Sequence, residues 1–302
     1  MRFGPANTPV PVAFAACCAG VGIFSVMDAV MKGLSLSIGA YNALLWRGVA
    51  GLAIGGIAML FARTARPTPA VLRLHVLRGV VVAFMALTFF WALTKLPMAE
   101  AIALSFVAPL IALYLAAILL GERVGPQAIW ASVLGLCGVG VIMAARIAGS
   151  HEGDALLGVV AVLGSAALYA WNLVLQRQQA QLSSPVEIAF YQNLVIFLVM
   201  ALAAPWYGVI PSAADAPLAV GAAALAFISL LFLSWAYARA EAQILIPVEY
   251  SAFIWSAIVG WLAFDERLEM TTLAGAALIV AGCLIATRAK PQAAAHVEAG
   301  QA

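Results

Sequence analysis

The chain has 302 residues, 65% of them apolar and only 9% charged, with a formal net charge of +2 and a mean hydropathy of +1.06. A water-facing globular domain carries about 25% charged residues, so this composition excludes one. So slight a positive balance also gives no electrostatic footprint for a nucleic-acid partner.

Apolar runs of roughly 20 residues, enough to cross the ~30 Å hydrocarbon core as helix, follow one another with short polar breaks. Ten spans are expected, at 10–31, 41–62, 72–94, 98–120, 126–145, 155–176, 186–206, 217–238, 244–264 and 270–287. Only helices and closed barrels satisfy the backbone in lipid, and unbroken apolar runs exclude the alternation of a barrel strand. The expected class is all-α, a polytopic membrane protein. Short tails flank it, 1–9 and an Ala-rich, disordered 289–302.

The first span runs apolar from Val10 to Val26, longer than the ~7–15 residues of a signal-peptide core, and is expected to be retained. It ends with Asp28 and Lys32. Span 2 carries Trp46-Arg47, and Arg47, Gly51 and Gly55 share a face that lets another helix approach closely. Span 3 holds His75 and Arg78, span 4 holds Glu100 and Pro109, and span 5 is rich in glycine. After a loop with His151, Glu152 and Asp154, span 6 brings Tyr169, Trp171 and Asn172, and span 7 brings Tyr191-Gln192-Asn193. Span 9 opens Pro247-Val-Glu249-Tyr250. The four cysteines fall inside spans at no metal-ligand spacing and are read as packing residues.

One string occurs twice. Trp91-Ala-Leu-Thr-Lys95 opens a stretch that closes Gly121-Glu122-Arg123. Trp235-Ala-Tyr-Ala-Arg239 opens another that closes Asp265-Glu266-Arg267, at a constant offset of 144 residues (235 − 91, 266 − 122). The chain therefore divides into repeats 10–146 and 154–288, each with five spans. Five is odd, so the second repeat enters the membrane upside down. Inverted repeats are a recurrent plan of secondary transporters, with the substrate near the midplane between interrupted helices. Pro109 and Pro247 are expected to supply the interruptions.

These residues resemble the drug/metabolite transporter superfamily with paired EamA domains. The likeness covers 12–288 and rests on Ala108-Pro109 with Gly121-Glu122-Arg123, and on Pro247-Val-Glu-Tyr250 with Phe264-Asp-Glu-Arg267. Among its branches the chain is most similar to the bacterial amino-acid exporters, which implies export of amino acids or related metabolites. The resemblance marks Phe106 and Tyr169 as matching aromatic positions of those exporters. Ala108 departs from it, standing where another ring is expected.

An ionisable group inside a bundle costs at least a few kcal/mol unless paired. By depth, Asp28, Arg47 and Glu100 are expected to form an outer cluster and Arg78 with Glu249 an inner pair, gating a midplane cavity from its two sides. The competing reading is that they only fix helix register. Phe106, Tyr169, Glu249 and Tyr250 are expected on the cavity wall, with Trp46 and His75 completing the substrate-binding set. Trp46 also suits an interfacial aromatic belt, and His75 an interfacial site or a group titrating near neutrality. Lys32, Lys95 and Arg123 stand at span ends and are read as snorkelling cations. Glu122-Arg123 and Glu266-Arg267 are read as helix-end anchors.

No phosphate-binding Gly-x-x-x-x-Gly-Lys, His-Glu-x-x-His or Gly-x-Ser-x-Gly string occurs, so no enzyme, cofactor or metal is expected. The reading is a secondary exporter of small zwitterionic or amphipathic metabolites, working by alternating access. The alternatives are an uptake carrier for a nucleoside or cofactor precursor, or a membrane enzyme using His151, Glu152 and Asp154 on a lipid-soluble substrate. Mixed, paired charges argue against an ion channel. Nine Lys and Arg on one side against Lys32, Lys95, Arg146 and Arg267 on the other place both termini in the cytoplasm of a bacterial inner membrane. The expected partners are the bilayer and a small-molecule substrate, with monomer and homodimer both open.

Overall fold

In the computed structural model, which describes residues 10–62, 67–108, 110–112, 114–115, 126–149, 153–180, 182–237 and 248–288, the first two apolar spans form one element. This helix, α1 (Val10–Ala62), folds back on itself at Gly39, whose φ of 82° and ψ of 149° lie outside helical space. Only glycine adopts that conformation without strain. Nothing lies within 4 Å of where a Cβ would sit, so torsion rather than crowding demands glycine. The polar break expected at 32–40 is thereby corrected, because one residue makes the turn. The arms, 10–38 and 40–62, rise ~44 Å and ~35 Å at 1.5 Å per residue, each enough to cross the hydrocarbon.

Helix α2 (Pro69–Leu93) starts at Thr68, whose hydroxyl accepts from the Val71 N–H at 3.4 Å, with proline at the first helical position. Helix α3 (Met98–Ser105) gives way to a turn at Phe106–Val107. A proline ring clashes with the carbonyl four residues earlier, and four residues before Pro109 is Ser105. Residues 108, 110–112 and 114–115 are helical again. Pro109 itself lies outside the described residues, as do Pro247, Glu122, Arg123, Arg239, His151, Glu152 and the two tails.

Then follow α4 (Pro126–Gly149), α5 (Gly153–Ala180), α6 (Pro185–Tyr207) and α7 (Asp215–Tyr237). After a turn at Tyr250–Ser251 come α8 (Ala252–Phe264) and α9 (Met270–Arg288). The described residues contain no strand. Five of the helices, α1 among them, are long and apolar enough to cross a membrane. Every regular element among the described residues is a helix, in line with the composition.

The main packing joins the first half of the chain to the second. The first arm of α1 lies on α7, where Ser229 Oγ donates to the Gly20 carbonyl at 2.8 Å, and on α8, where Gly22 faces Trp255. The second arm lies on α6, with Gly48, Gly51 and Gly55 facing Phe197, Asn193 and Phe190. Helix α2 runs between α5 and α6, with Ser165 Oγ donating to the Met85 carbonyl at 2.8 Å and Gly79 against Val195. Helices α4 and α9 meet at Gly138 and Gly275, backbone against backbone. One buried cluster, from Met27 and Leu44 through Phe90 and Leu104 to Ile196 and Ile279, is shared by both halves.

Candidate functional site

Polar groups gather at three levels along the bundle. At the end marked by Gly39, Lys32 is buried and forms an ion pair with Glu266, while also donating to the Leu96 carbonyl at 2.7 Å. The other Glu266 oxygen accepts from the Met98 N–H at 2.8 Å, and the Phe264 ring centroid lies 5.2 Å from the ammonium. A left-handed residue, Asp265 (φ 53°), ends α8 and turns Glu266 back over it. Gly260 makes the room, since a Cβ there would come 2.6 Å from a Glu266 oxygen. One ion pair thus ties α1 to the 94–97 and 265–269 connections.

This corrects the sequence reading of Lys32 as a snorkelling cation and of Glu266 as a simple anchor. Lys32 reads as interfacial only when its helix is taken to stop at 31. The helix instead continues to Gly39 and carries the ammonium inside the bundle. Lys95 is partly exposed, 2.5 Å from an exposed Asp154 and beside the Trp91 ring, where such pairs contribute little. Glu100 is buried and lines a recess with Pro97, Glu266, Arg267 and Thr272. It does not complete the expected cluster with Asp28 and Arg47. Trp46 donates to the Val209 carbonyl at 2.8 Å and lines a groove with Val49, Phe197 and Ala201, between α1 and α6 near the Gly39 end.

At the middle level, Asp28 on one arm of α1 is 3% exposed and within electrostatic range of Arg47 on the other. The Arg47 guanidinium lies over the Phe90 ring at 5.6 Å, with Nη1 3.8 Å from the Met27 sulfur. Phe106 and Tyr250 meet edge to face, centroids 5.1 Å apart at 88°. They stand at the same place in their repeats (250 − 106 = 144), each at the turn that interrupts its span. Tyr169 packs on the same core and is within electrostatic range of both Arg78 and Glu249. Phe106 thus touches Tyr250, and Tyr169 lies within electrostatic range of Glu249.

At the far end, α2, α5 and α6 close on a buried network. His75 Nε2 lies 3.1 Å from Glu187 and 3.3 Å from Ser183 Oγ, its Nδ1 meets the Gln179 amide, and its ring stacks on Tyr191 at 4.6 Å. Arg78 Nε donates to Asn172 Oδ1 at 2.9 Å and Nη1 to Gln179. The expected Arg78–Glu249 pair gives way to two amides of α5. The reason is placement: α2 is wedged between α5 and α6, so a side chain one turn past His75 points at α5. Glu187 and Gln179 escape the sequence reading. Ser184-x-x-Glu187 reads as a helix start, and the Ser184 hydroxyl does accept from the Glu187 N–H at 3.3 Å, which conceals the second role of the carboxylate.

Arg78→Met should therefore leave Asn172 and Gln179 short of donors. Buried groups left unpaired cost about 1–3 kcal/mol, to be read as a lower melting temperature in detergent. Arg78→Lys should recover only part of it, because one ammonium cannot span both amides.

Among the described residues no cluster of His, Cys, Asp or Glu could hold a metal ion. Comparison with known proteins follows the same outline. The pattern of the EamA-like transporter family matches twice, at residues 11–144 and 156–288. The chain is 28% identical over 271 residues to the pseudopaline exporter of Pseudomonas aeruginosa, covering 88% of this chain and 93% of that protein. It is 26% identical over 222 residues to the S-adenosylmethionine uptake transporter of Rickettsia prowazekii (74% and 72% covered). It is 28% identical over 223 residues to the riboflavin transporter of Brucella anthropi (71% and 76% covered). A solved crystal structure with 21% identity superposes with a TM-score of 0.61 over 92% of this chain and 96% of its own, sharing the fold. With both halves matched over most of its length, the chain belongs to the EamA-like transporter family of the drug/metabolite transporter superfamily.

Proposed function

We propose that the chain is a secondary transporter of the bacterial inner membrane that exports amino acids or similar small zwitterionic metabolites by alternating access. The observation that carries this is the arrangement of the polar groups. Lys32–Glu266 latches one end, the His75–Glu187 network latches the other, and a mixed-charge, ring-lined level lies between them. A carrier must break one latch at a time, and side-chain contacts of this kind can be exchanged. Ten spans in two inverted repeats, 10–146 and 154–288, fit the packing. Spans at equivalent places pair with each other: the second arm of α1 with α6, α3 with α8, α4 with α9. A twofold axis in the membrane plane brings such partners together.

Mixed charge favours a zwitterion. A phosphate carrier would be expected to hold surplus Arg or Lys. Both termini on the cytoplasmic side would put the Lys32–Glu266 latch outside and the His75 network inside. The transport roles named for the three relatives support the general activity.

Purified protein in liposomes should show counterflow of at least one amino acid, tested beside nucleosides and cationic drugs, with and without a pH gradient. Exchange of nucleosides alone would move the reading to the uptake alternative. No exchange of any class would end the transporter reading.

A further inference from the structure

The middle level holds a buried carboxylate, Asp28, and a partly buried guanidinium, Arg47, of opposite charge and without an ion pair between them. Arg47 and Asp28 stand on the two arms of α1 within electrostatic range of each other, yet no ion pair within 4.0 Å joins them, and none of the described residues hydrogen-bonds to the Asp28 carboxylate. Arg47 Nε is buried without a hydrogen-bond partner. Among the described residues its Nη1 meets the Met27 thioether, a weak acceptor, at 3.8 Å. The Phe90 ring under the guanidinium attracts the charge but takes no hydrogen bond.

This is unusual for an arginine inside a bundle. A guanidinium offers five donors in a fixed fork, and an unpaired charge withdrawn from water is strongly unfavourable. At the His75 level another arginine, Arg78, donates to two amides. Packing alone therefore does not explain Arg47, because this fold does satisfy an arginine elsewhere. The repeat sharpens the contrast. The positions equivalent to Asp28 and Arg47 are Asn172 and Tyr191 (28 + 144, 47 + 144). Asn172 is bonded to Arg78 and Tyr191 is stacked on His75. One repeat uses these positions for structure, and the other keeps a separated plus and minus.

We propose that Arg47 and Asp28 form a binding site for a zwitterion, with the cargo's carboxylate on the free edge of the Arg47 fork and its ammonium on Asp28. An α-amino acid bridges the two charges and gives each the partner it lacks. Phe90 and Met27 form the apolar floor beside them, both buried. The site rests on the transport reading above and deepens it by naming which residues read the cargo's charged ends.

The test compares three probes in liposome counterflow: phenylalanine, phenylalaninamide, which lacks the carboxylate, and N-acetylphenylalanine, which lacks the ammonium. Wild-type protein should prefer phenylalanine to both by at least tenfold. Arg47→Met should lose the preference over the amide and keep that over the acetyl compound. Asp28→Asn should do the reverse, and Arg47→Lys should keep part of the acid preference. Melting curves confirm that each variant is folded. Should Arg47→Met not fold, Arg47→Lys and the wild-type probe ratios still decide. Variants that are folded and active with both preferences intact would overturn this site and leave the transport reading standing. A wild type that exchanges nucleosides but neither discriminates the probes nor moves phenylalanine would overturn the amino-acid reading and the site with it.

Discussion

Lys32→Met is expected to destabilise the protein by about 3–5 kcal/mol, the usual cost of removing one member of a buried ion pair. The change would leave the largely enclosed Glu266 carboxylate with only the Met98 N–H and would free the Leu96 carbonyl. Glu266→Gln should cost less, since an amide oxygen can still accept from Met98. The paired variant Lys32→Met with Glu266→Met should recover much of the loss, because no charge is left stranded. Melting temperatures of these variants, together with the single Glu266→Met, give the coupling energy. If the pair is also a gate, a cysteine placed at Thr272, which lines the neighbouring recess, should react faster with a maleimide in the single and the paired variants alike. Unchanged stability and unchanged labelling would reduce the latch to an incidental contact.

Gly138→Val and Gly275→Val should each impair folding more than valine at a helical glycine that faces only a side chain, such as Gly79 against Val195. A Cβ at Gly138 would stand 2.5 Å from the Gly275 carbonyl oxygen, and one at Gly275 would stand 2.7 Å from the Gly138 carbonyl oxygen. Both obstacles are backbone, so no rotamer change can relieve them, and the helices must separate. Overpacking of this sort costs about 1–3 kcal/mol where side chains can adjust, and more is expected here. Gly140 and Gly164 have nothing within 4 Å of where a Cβ would stand and serve as controls. Valine there should leave yield and melting temperature near wild type. Close glycine contacts matter in a membrane because helices gain little there from excluding water.

Much of this protein is legible in its letters, and particular residues show why. The medium follows from composition, and the helical class follows from the medium. The repeat is visible because helix-end strings such as Glu266-Arg267 are short, polar and rare against an apolar background. Phe106 and Tyr250 can be placed together because each stands within three residues of a proline expected to interrupt its span. Pairings are less legible. Depth along a span says nothing about which way a side chain points, so Arg78 pairs on paper with Glu249 when its neighbours are Asn172 and Gln179. Neutral amides carry no sign to match. Lys32 misleads for a different reason: the chain turns at a glycine inside what otherwise reads as a polar loop, and nothing in the letters says that one residue suffices.

That one-residue turn also sets how the two arms of α1 can move. A connection with no slack forbids sliding of one arm past the other and leaves rotation about a single pivot. Arg47 is eight residues from Gly39 and Asp28 is eleven, which at 1.5 Å per residue places them ~12 Å and ~16 Å along their levers. A swing of about 10° between levers of that length shifts their separation by about 2–3 Å, close to the length of a hydrogen bond. The gap between the two charges is thus geared to the angle at Gly39, and whatever fills that gap holds the hinge.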